Sequence, residues 1–303
     1  MITYKNSSSK GNLSFIEADL TDYNLISNIF LQHYSLKKPI EGVIHFAGLK
    51  AINESINDPL RYWDINLVST INLLKAMNAY NCINIVFSSS AAVYGLKDQK
   101  LITEESNLIP INPYGRTKLT IEKILHDLFE SDSKKWKITN LRYFNPIGAH
   151  PSGLIGENSL GTPNNIFPLI MEVASGNLEK LKIFGSDWPT KDGTGIRDYI
   201  HVMDVAESHI KVLELLMSSE PVFLSLNVGT GIGYSVLDLI KTFEKVNNVK
   251  VPYVFEKRRV GDSSFVVADN SLLISKINFI PNRNIEDMCK DGWKWKILNP
   301  EGF

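Results

Sequence analysis

The chain has 303 residues, of which 44% are apolar and 21% charged. These are ordinary globular values, so the composition excludes fibrous and low-complexity disordered classes, and the length fits about two domains or one large one. The 32 Lys and Arg nearly balance the 33 Asp and Glu, for a net charge of −1. No overall field therefore favours nucleic acid or an anionic membrane.

The first half of the chain alternates short apolar runs with longer amphipathic ones. The predicted strands are residues 13–18, 42–47, 83–89 and 138–144, and the predicted helices are residues 23–34, 60–80 and 114–130. Strands that are apolar almost throughout are typical of a parallel sheet buried on both faces. The alternation predicts an α/β fold built on a doubly wound sheet.

After Pro146 the pattern changes, because glycine and proline become frequent. We expect a first domain at 1–146 and a second at 147–303. Two later strand-and-helix units begin near residues 197 and 223. Parts of the second half, about 197–235, are expected to return to the first domain.

One helix is predicted to begin with a tyrosine and a lysine one turn apart, Tyr114 and Lys118. A phenol has a pKa of about 10, and a nearby ammonium stabilises the phenolate enough for it to act as a base. An isolated pair of this kind is more often a core tyrosine and a solvated lysine. The serine run that ends at Ser90, after the preceding strand, favours the catalytic interpretation.

Five strings carry a family resemblance: HFAGLKA at 45–51, FSSSAAVYG at 87–95, PYGRTK at 113–118, LRYFNPIGAH at 141–150 and GTGIRDYIHV at 193–202. From about residue 13 to the end, the chain resembles the UDP-glucose 4-epimerases, which are extended short-chain dehydrogenase/reductases. The resemblance implies an NAD-binding Rossmann-type doubly wound parallel sheet with a smaller α/β substrate-binding domain. It also implies NAD as cofactor, UDP-glucose and UDP-galactose as substrates, and a homodimer.

The resemblance assigns roles by position. The implied catalytic residues are Tyr114 as base, Lys118 as its partner on the nicotinamide ribose and Ser90 as a hydroxyl at the sugar 4-oxygen. The implied cofactor contacts are Asp19, Leu20, Phe46, Ala47, Gly48, Leu49, Lys50, Lys118, Tyr143 and Phe144, with Asn66 as a weaker candidate. The implied UDP-sugar contacts are Ser90, Tyr114, Asn145, Asn165, Lys182, Ile183, Phe184, Arg197, Arg259 and Asp262. Val266 aligns with the family position that controls acceptance of UDP-N-acetylhexosamines, and its size predicts weak acceptance.

Two other interpretations of the motifs are less favoured. Related 4,6-dehydratases carry an Asp-Glu pair where this chain has Ala91 and Ala92, so dehydration is not expected. The glycines at 229, 231 and 233 imitate a dinucleotide fingerprint, but the third comes one place early. We expect a tight turn there, followed by an ordinary helix cap at Ser235.

The glycine-rich turn that receives the NAD pyrophosphate in this family is not found in the sequence. We therefore expect the 303 residues alone neither to retain NAD nor to epimerise, and an isolated strand at 13–18 to be lost or re-paired. The alternative to an epimerase is an inactive truncated remnant, or a non-enzyme that binds nucleotide sugars.

The remaining expectations concern metals and location. The two cysteines are too few for a disulfide framework, and the six histidines show no metal-ligand spacing, so no metal is expected. Residues 1–10 lack an apolar signal sequence, and no apolar run approaches the ~20 residues needed to span a bilayer. The sequence predicts a soluble cytoplasmic protein without nucleic-acid or membrane partners.

Overall fold

The computed structural model describes residues 13–95, 101–158, 163, 165–259 and 261–302. The helices are α1 (Tyr23–Ser35), α2 (Ile52–Asn57), α3 (Pro59–Ala79), α4 (Pro113–Ser131), α5 (Ile166–Ala174), α6 (Val202–Ser218), α7 (Val236–Asn247), α8 (Ser271–Ile277) and α9 (Ile285–Leu298). The strands are β1 (Gly42–His45), β2 (Asn84–Ser90), β3 (Lys137–Tyr143), β4 (Asn145–Ile147), β5 (Leu181–Phe184), β6 (Ile196–His201), β7 (Val222–Val228), β8 (Gly233–Ser235), β9 (Tyr253–Glu256) and β10 (Phe265–Val266).

The main sheet contains four parallel strands in the order β1-β2-β3-β7. Successive side chains of a strand point to opposite faces, so the apolar run of β2 serves two cores. Ile85 and Phe87 pack with α1, α3 and α4 on one face, whereas Val86 packs with α6 and α8 on the other. The expectation of an α/β fold with a doubly covered parallel sheet is confirmed.

The strand that periodicity predicts at residues 13–18 is not formed, which agrees with the expectation that it would be lost or re-paired. Leu13, Phe15 and Ile16 are exposed, and no described strand lies beyond β1 to offer a hydrogen-bond ladder. An isolated extended segment cannot satisfy its backbone groups by pairing. The segment that follows is held instead to α3, where Asn72 donates to the backbone oxygen of Thr21 at 2.8 Å.

A second group of elements is built from later parts of the chain. Strand β6 pairs with β4, β8 and β10, and β5 pairs with β9. A second core holds side chains of α5, α7 and α9. Strand β7, although late in the chain, pairs with β3 along its whole length; we therefore keep the division at residue 146, with about 197–235 returning to the first domain, as a proposal.

Among the residues that the structure describes, no helix is long and apolar enough to cross a membrane.

Candidate active site

The first turn of α4 lies beside the carboxyl end of β2. The helix begins there because Pro113 is suited to a first helical position, while the side chain of Asn112 accepts a hydrogen bond from the backbone nitrogen of Gly115 at 2.8 Å. Tyr114 therefore lies in the first turn and Lys118 one turn later, on the face toward β2. Ser90 ends that strand.

Tyr114 and Lys118 meet the serine run at two points. The Tyr114 phenol is hydrogen-bonded to Ser90; burial raises the pKa of Tyr114, and this hydrogen bond opposes the rise. The Lys118 ammonium donates to the backbone oxygen of Ser88 at 2.7 Å and lies 4.8 Å from the centre of the Phe87 ring. Burial lowers the pKa of Lys118 to about 8. The structure thus brings the three predicted catalytic residues together.

The loop after β1 is fixed by Asn66. Its side-chain oxygen accepts from the Leu49 nitrogen at 2.7 Å, and its amide nitrogen donates to the Leu49 oxygen at 3.2 Å and to the Thr117 hydroxyl at 3.1 Å. Gly48 has φ +150°, and a Cβ there would lie 3.1 Å from the Asn66 oxygen and 3.9 Å from the Lys118 nitrogen. Only glycine suits this close approach. Asn66 therefore shapes the loop that passes Lys118.

Tyr143 is held by His209, a residue that the sequence analysis did not assign to the site. Its hydroxyl lies 2.5 Å from Nε2 of His209, whose Nδ1 lies 2.7 Å from the backbone oxygen of Val205. Burial lowers the pKa of His209 to about 4, so the ring is neutral, donates from Nδ1 and accepts from Tyr143. The half-exposed Phe46 packs on the same imidazole, with the two ring centres 4.6 Å apart. No sequence spacing signals this contact.

Several predicted substrate residues gather near the turn after residue 258. Arg197 forms an ion pair with Asp262, and the guanidinium of Arg259 lies 3.7 Å from the centre of the Phe184 ring. Val266 packs with a cluster that contains Phe144. The group thus combines two guanidinium groups with the apolar side chains of Phe184 and Val266.

The remaining predicted residues have simpler surroundings. Asn145 donates to the backbone oxygen of Asp198 at 2.9 Å. Exposed Lys182 lies 3.7 Å from a carboxylate oxygen of Glu256. Asn165 precedes α5 without capping it through its side chain. The side chain of Ile183 lies in the second core, which leaves its backbone as the part able to reach a ligand.

Asp19 and Leu20, two of the implied cofactor contacts, lie near the start of the described chain. The exposed Asp19 carboxylate accepts from the nitrogen and hydroxyl of Thr21, each at 2.8 Å, and these bonds lower the pKa of Asp19. Leu20 packs at the edge of the core between α1 and α3. Lys50 reaches Glu157 at 3.1 Å.

Sequence reasoning also missed Tyr199, on β6. It is 1% exposed, and its hydroxyl has no hydrogen-bond partner among the described residues. A buried phenol hydroxyl normally finds a partner, but the Tyr199 side chain lies in the same core as Ile183, so this oxygen stays unpaired inside the described part of the protein. The sequence of β6 gives no sign of this.

The glycine turn after β7 binds a carboxylate of the protein itself. The buried carboxylate of Asp198 accepts from the backbone nitrogens of Thr230, Gly231 and Ala268 at 2.8, 3.0 and 3.2 Å. Ser235 and Asp238 then form a reciprocal capping box at the start of α7. The interpretation of this turn as structural is confirmed.

The described residues hold no cluster of three or more His, Cys, Asp or Glu side chains placed to bind a metal ion.

Known proteins resemble the chain over nearly its whole length. A family model described as GDP-mannose 4,6 dehydratase matches residues 2–292. The UDP-glucose 4-epimerase of Bacillus subtilis is 49% identical over 96% of this chain and 84% of its own length. The chain belongs to the UDP-glucose 4-epimerase family.

Solved structures of this epimerase family share the fold. The enzyme from Stenotrophomonas maltophila, with bound NAD and formylated UDP-arabinopyranose, matches with a TM-score of 0.90 and 43% identity, covering 94% of this chain and 82% of its own. The enzyme from Bifidobacterium longum, in complex with NAD+ and UDP, matches with a TM-score of 0.89 and 42% identity, covering 97% and 85%. The expected Rossmann-type fold is thereby confirmed.

Proposed function

We propose that this chain is an NAD-dependent UDP-glucose 4-epimerase, an isomerase that interconverts UDP-glucose and UDP-galactose through a 4-keto intermediate. The observation that carries the proposal is the arrangement of half-buried Tyr114 and Ser90 with buried Lys118 at the end of β2. The epimerase relatives support it over an inactive remnant.

The residues present fit the nicotinamide end of NAD. Gly48 leaves open the space that a Cβ would fill between Asn66 and Lys118, and Lys118 keeps ammonium protons beyond the one donated to Ser88. We propose that Lys118 holds the nicotinamide ribose, that residues 46–50 run along the cofactor, and that Tyr143 and Phe144 lie at the nicotinamide. Asp19 and Leu20 would meet the adenine end.

In the proposed mechanism, Tyr114 takes the proton of the sugar 4-hydroxyl. Lys118 stabilises the phenolate through its positive charge, and Ser90, hydrogen-bonded to Tyr114, holds the sugar 4-oxygen and relays its proton. Bound NAD supplies a hydride acceptor that also returns the hydride. Tyr114 then gives its proton back to the same oxygen, so the protein ends each cycle in its starting protonation state.

The UDP-sugar is proposed to bind across β6 and the turn before β10. Arg197 and Arg259 offer guanidinium groups to the pyrophosphate, and Asp262 keeps Arg197 in place. The other proposed contacts are Asn145, Asn165, Lys182, Phe184 and the backbone of Ile183.

The dehydratase activity in the family model's description has less support. Ala91 and Ala92 begin the short 3₁₀ turn that directly follows Ser90. Methyl groups at these positions cannot transfer protons at C5 and C6, so the proposal remains epimerisation.

The experiment is a UDP-galactose conversion assay of the chain joined to a family glycine-rich segment, with Tyr114→Phe and, as the matched control, exposed Tyr34→Phe. We expect Tyr114→Phe to lose at least about 100-fold in turnover, the lower range for a lost acid–base group, and Tyr34→Phe to lose none. Unchanged turnover in Tyr114→Phe would refute the mechanism. The 303-residue chain is also assayed alone, without a family glycine-rich segment. Epimerase activity and retained NAD in this sample would overturn the expectation that the segment is needed.

Two further features of the proposal concern assembly and location. We propose a homodimer, to be measured by sedimentation equilibrium, where a monomer at working concentrations would contradict it. We also propose a cytoplasmic location, because the thiols of Cys82 and Cys289 are free and buried. Fractionation of the source cells tests this location.

A further inference from the structure

A buried carboxylate lies one turn beyond Lys118 on the same face of α4. Glu122 and its partner Arg142 are both 5% exposed in their side chains and pair at 2.6 Å. The same carboxylate accepts from the Ser89 hydroxyl at 2.5 Å and from Nε of Arg142 at 3.0 Å. Such a buried charge is costly unless it is paired, and the proposed chemistry gives it no direct task.

The three serines that end β2 are all contacted by this one face of α4. Tyr114 bonds to Ser90, Lys118 to the backbone oxygen of Ser88, and Glu122 to the hydroxyl of Ser89. Residues four apart on a helix share a face, so the spacing of 114, 118 and 122 creates this row. Glu122 anchors its far end through Arg142.

Arg142 is also held by hydrogen bonds that lead through Tyr94 to β7. It donates to the Tyr94 hydroxyl at 2.9 Å, which donates to the side-chain oxygen of Asn227 at 2.6 Å. The ion pair is therefore fixed on β3 and β7 and not only on α4. Rotation of the Glu122 carboxylate would break its bonds to Ser89 and Arg142.

We propose that Glu122 is a positioning residue that keeps Lys118 protonated over the working pH range and holds α4 against the serine run. The proposal rests on the proposed function of Lys118 and Tyr114. The Glu122 carboxylate raises the pKa of Lys118 against the lowering effect of burial. Without that charge, Lys118 loses its proton at lower pH and no longer stabilises the Tyr114 phenolate.

The other charged or titratable groups facing this cluster come from four elements. They are Tyr114 on α4, His45 on β1, Arg142 and Tyr143 on β3, and Tyr94 and Glu104 after β2. Burial and the Lys118 charge lower the pKa of His45 to about 4, so His45 stays neutral between pH 6 and 9. Burial raises the pKa of Tyr94 to about 12 and the pKa of Tyr143 further. Glu122 thus supplies the carboxylate closest along the helix to Lys118.

The first test measures Lys118 directly in protein labelled with [ε-13C]lysine, and its signal is assigned by its absence in Lys118→Met. In Glu122→Gln the Lys118 titration should move to lower pH by about 1–2 units, the size expected for one charge a helical turn away. The matched control is Glu130→Gln, because Glu130 is exposed on the same helix. It should leave the titration in place.

The second test is the pH profile of kcat/KM for UDP-galactose. We expect its alkaline limb to move to lower pH in Glu122→Gln, with little change in KM. If Arg142 without a partner prevents folding, the double variant Glu122→Gln/Arg142→Met removes both charges and should show the same direction of shift. An unmoved Lys118 titration in either variant overturns the proposal. A parent protein that lacks epimerase activity even when joined to a family glycine-rich segment would instead refute the proposed function, while the titration still decides the role of Glu122.

Discussion

Replacing Lys118 with methionine should make the protein more stable and inactive. The Lys118 side chain is 5% exposed, and burial lowers its pKa from 10.5 to about 8. At 1.36 kcal/mol per pH unit, holding the charged form inside the fold at pH 7 costs about 3 kcal/mol. The bond to the Ser88 oxygen, worth about 1 kcal/mol, is lost in the variant. The net expectation is a gain of about 2 kcal/mol at pH 7.

The gain in stability of Lys118→Met should also depend on pH. Because the folded state holds the Lys118 proton less tightly, the unfolded chain binds more protons between pH 8 and 10.5. The stability of the parent protein therefore rises with pH in that window, and the advantage of Lys118→Met is largest below pH 8 and fades above it.

Urea unfolding of both proteins from pH 6 to 10 measures this difference, with Lys123→Met as the exposed control on the same helix. The control should stay within about 0.5 kcal/mol of the parent protein at every pH. A Lys118→Met protein less stable than the parent at pH 7, or a difference that does not vary with pH, would refute the reasoning.

Three further variants test other parts of the molecule. Asn66→Ala removes the bonds that shape the loop at Leu49. In the chain joined to a family glycine-rich segment, NAD released on denaturation of the purified protein should therefore fall, with affinity about tenfold weaker for each 1.4 kcal/mol lost; full retention would contradict this. Val266→Tyr should reduce turnover of UDP-N-acetylglucosamine relative to UDP-galactose, and an unchanged ratio would remove Val266 from the sugar site. Asp198→Ala leaves three backbone nitrogens without an acceptor and should cost about 3–5 kcal/mol in urea unfolding; a loss below about 1 kcal/mol would show that the turn relaxes freely.

Periodicity predicted the parallel strands and their helices well where both faces of the sheet are covered. It failed at residues 13–18, since apolar composition reports a preference for burial but not whether a neighbouring strand exists. The Tyr114–Lys118 spacing predicted a shared helix face because helix geometry is local.

The contacts of His209, Tyr199 and Glu122 could not be predicted in this way. Each depends on a partner 20 or more residues away or on an unfilled hydrogen bond, and no local pattern encodes either. Arg142 lies in a string used for the family resemblance, yet its pairing with Glu122 becomes visible only when β3 and α4 are placed together.

The β6–α6 segment described above joins the two ends of the proposed site without a break in the chain. It begins near Arg197, on the side proposed for the sugar nucleotide, and twelve residues later presents His209 to Tyr143 and Phe46. A strand and the helix that follows it move as one body more readily than as two. We therefore expect substitutions along this segment to change the affinities for nucleotide sugar and for NAD together.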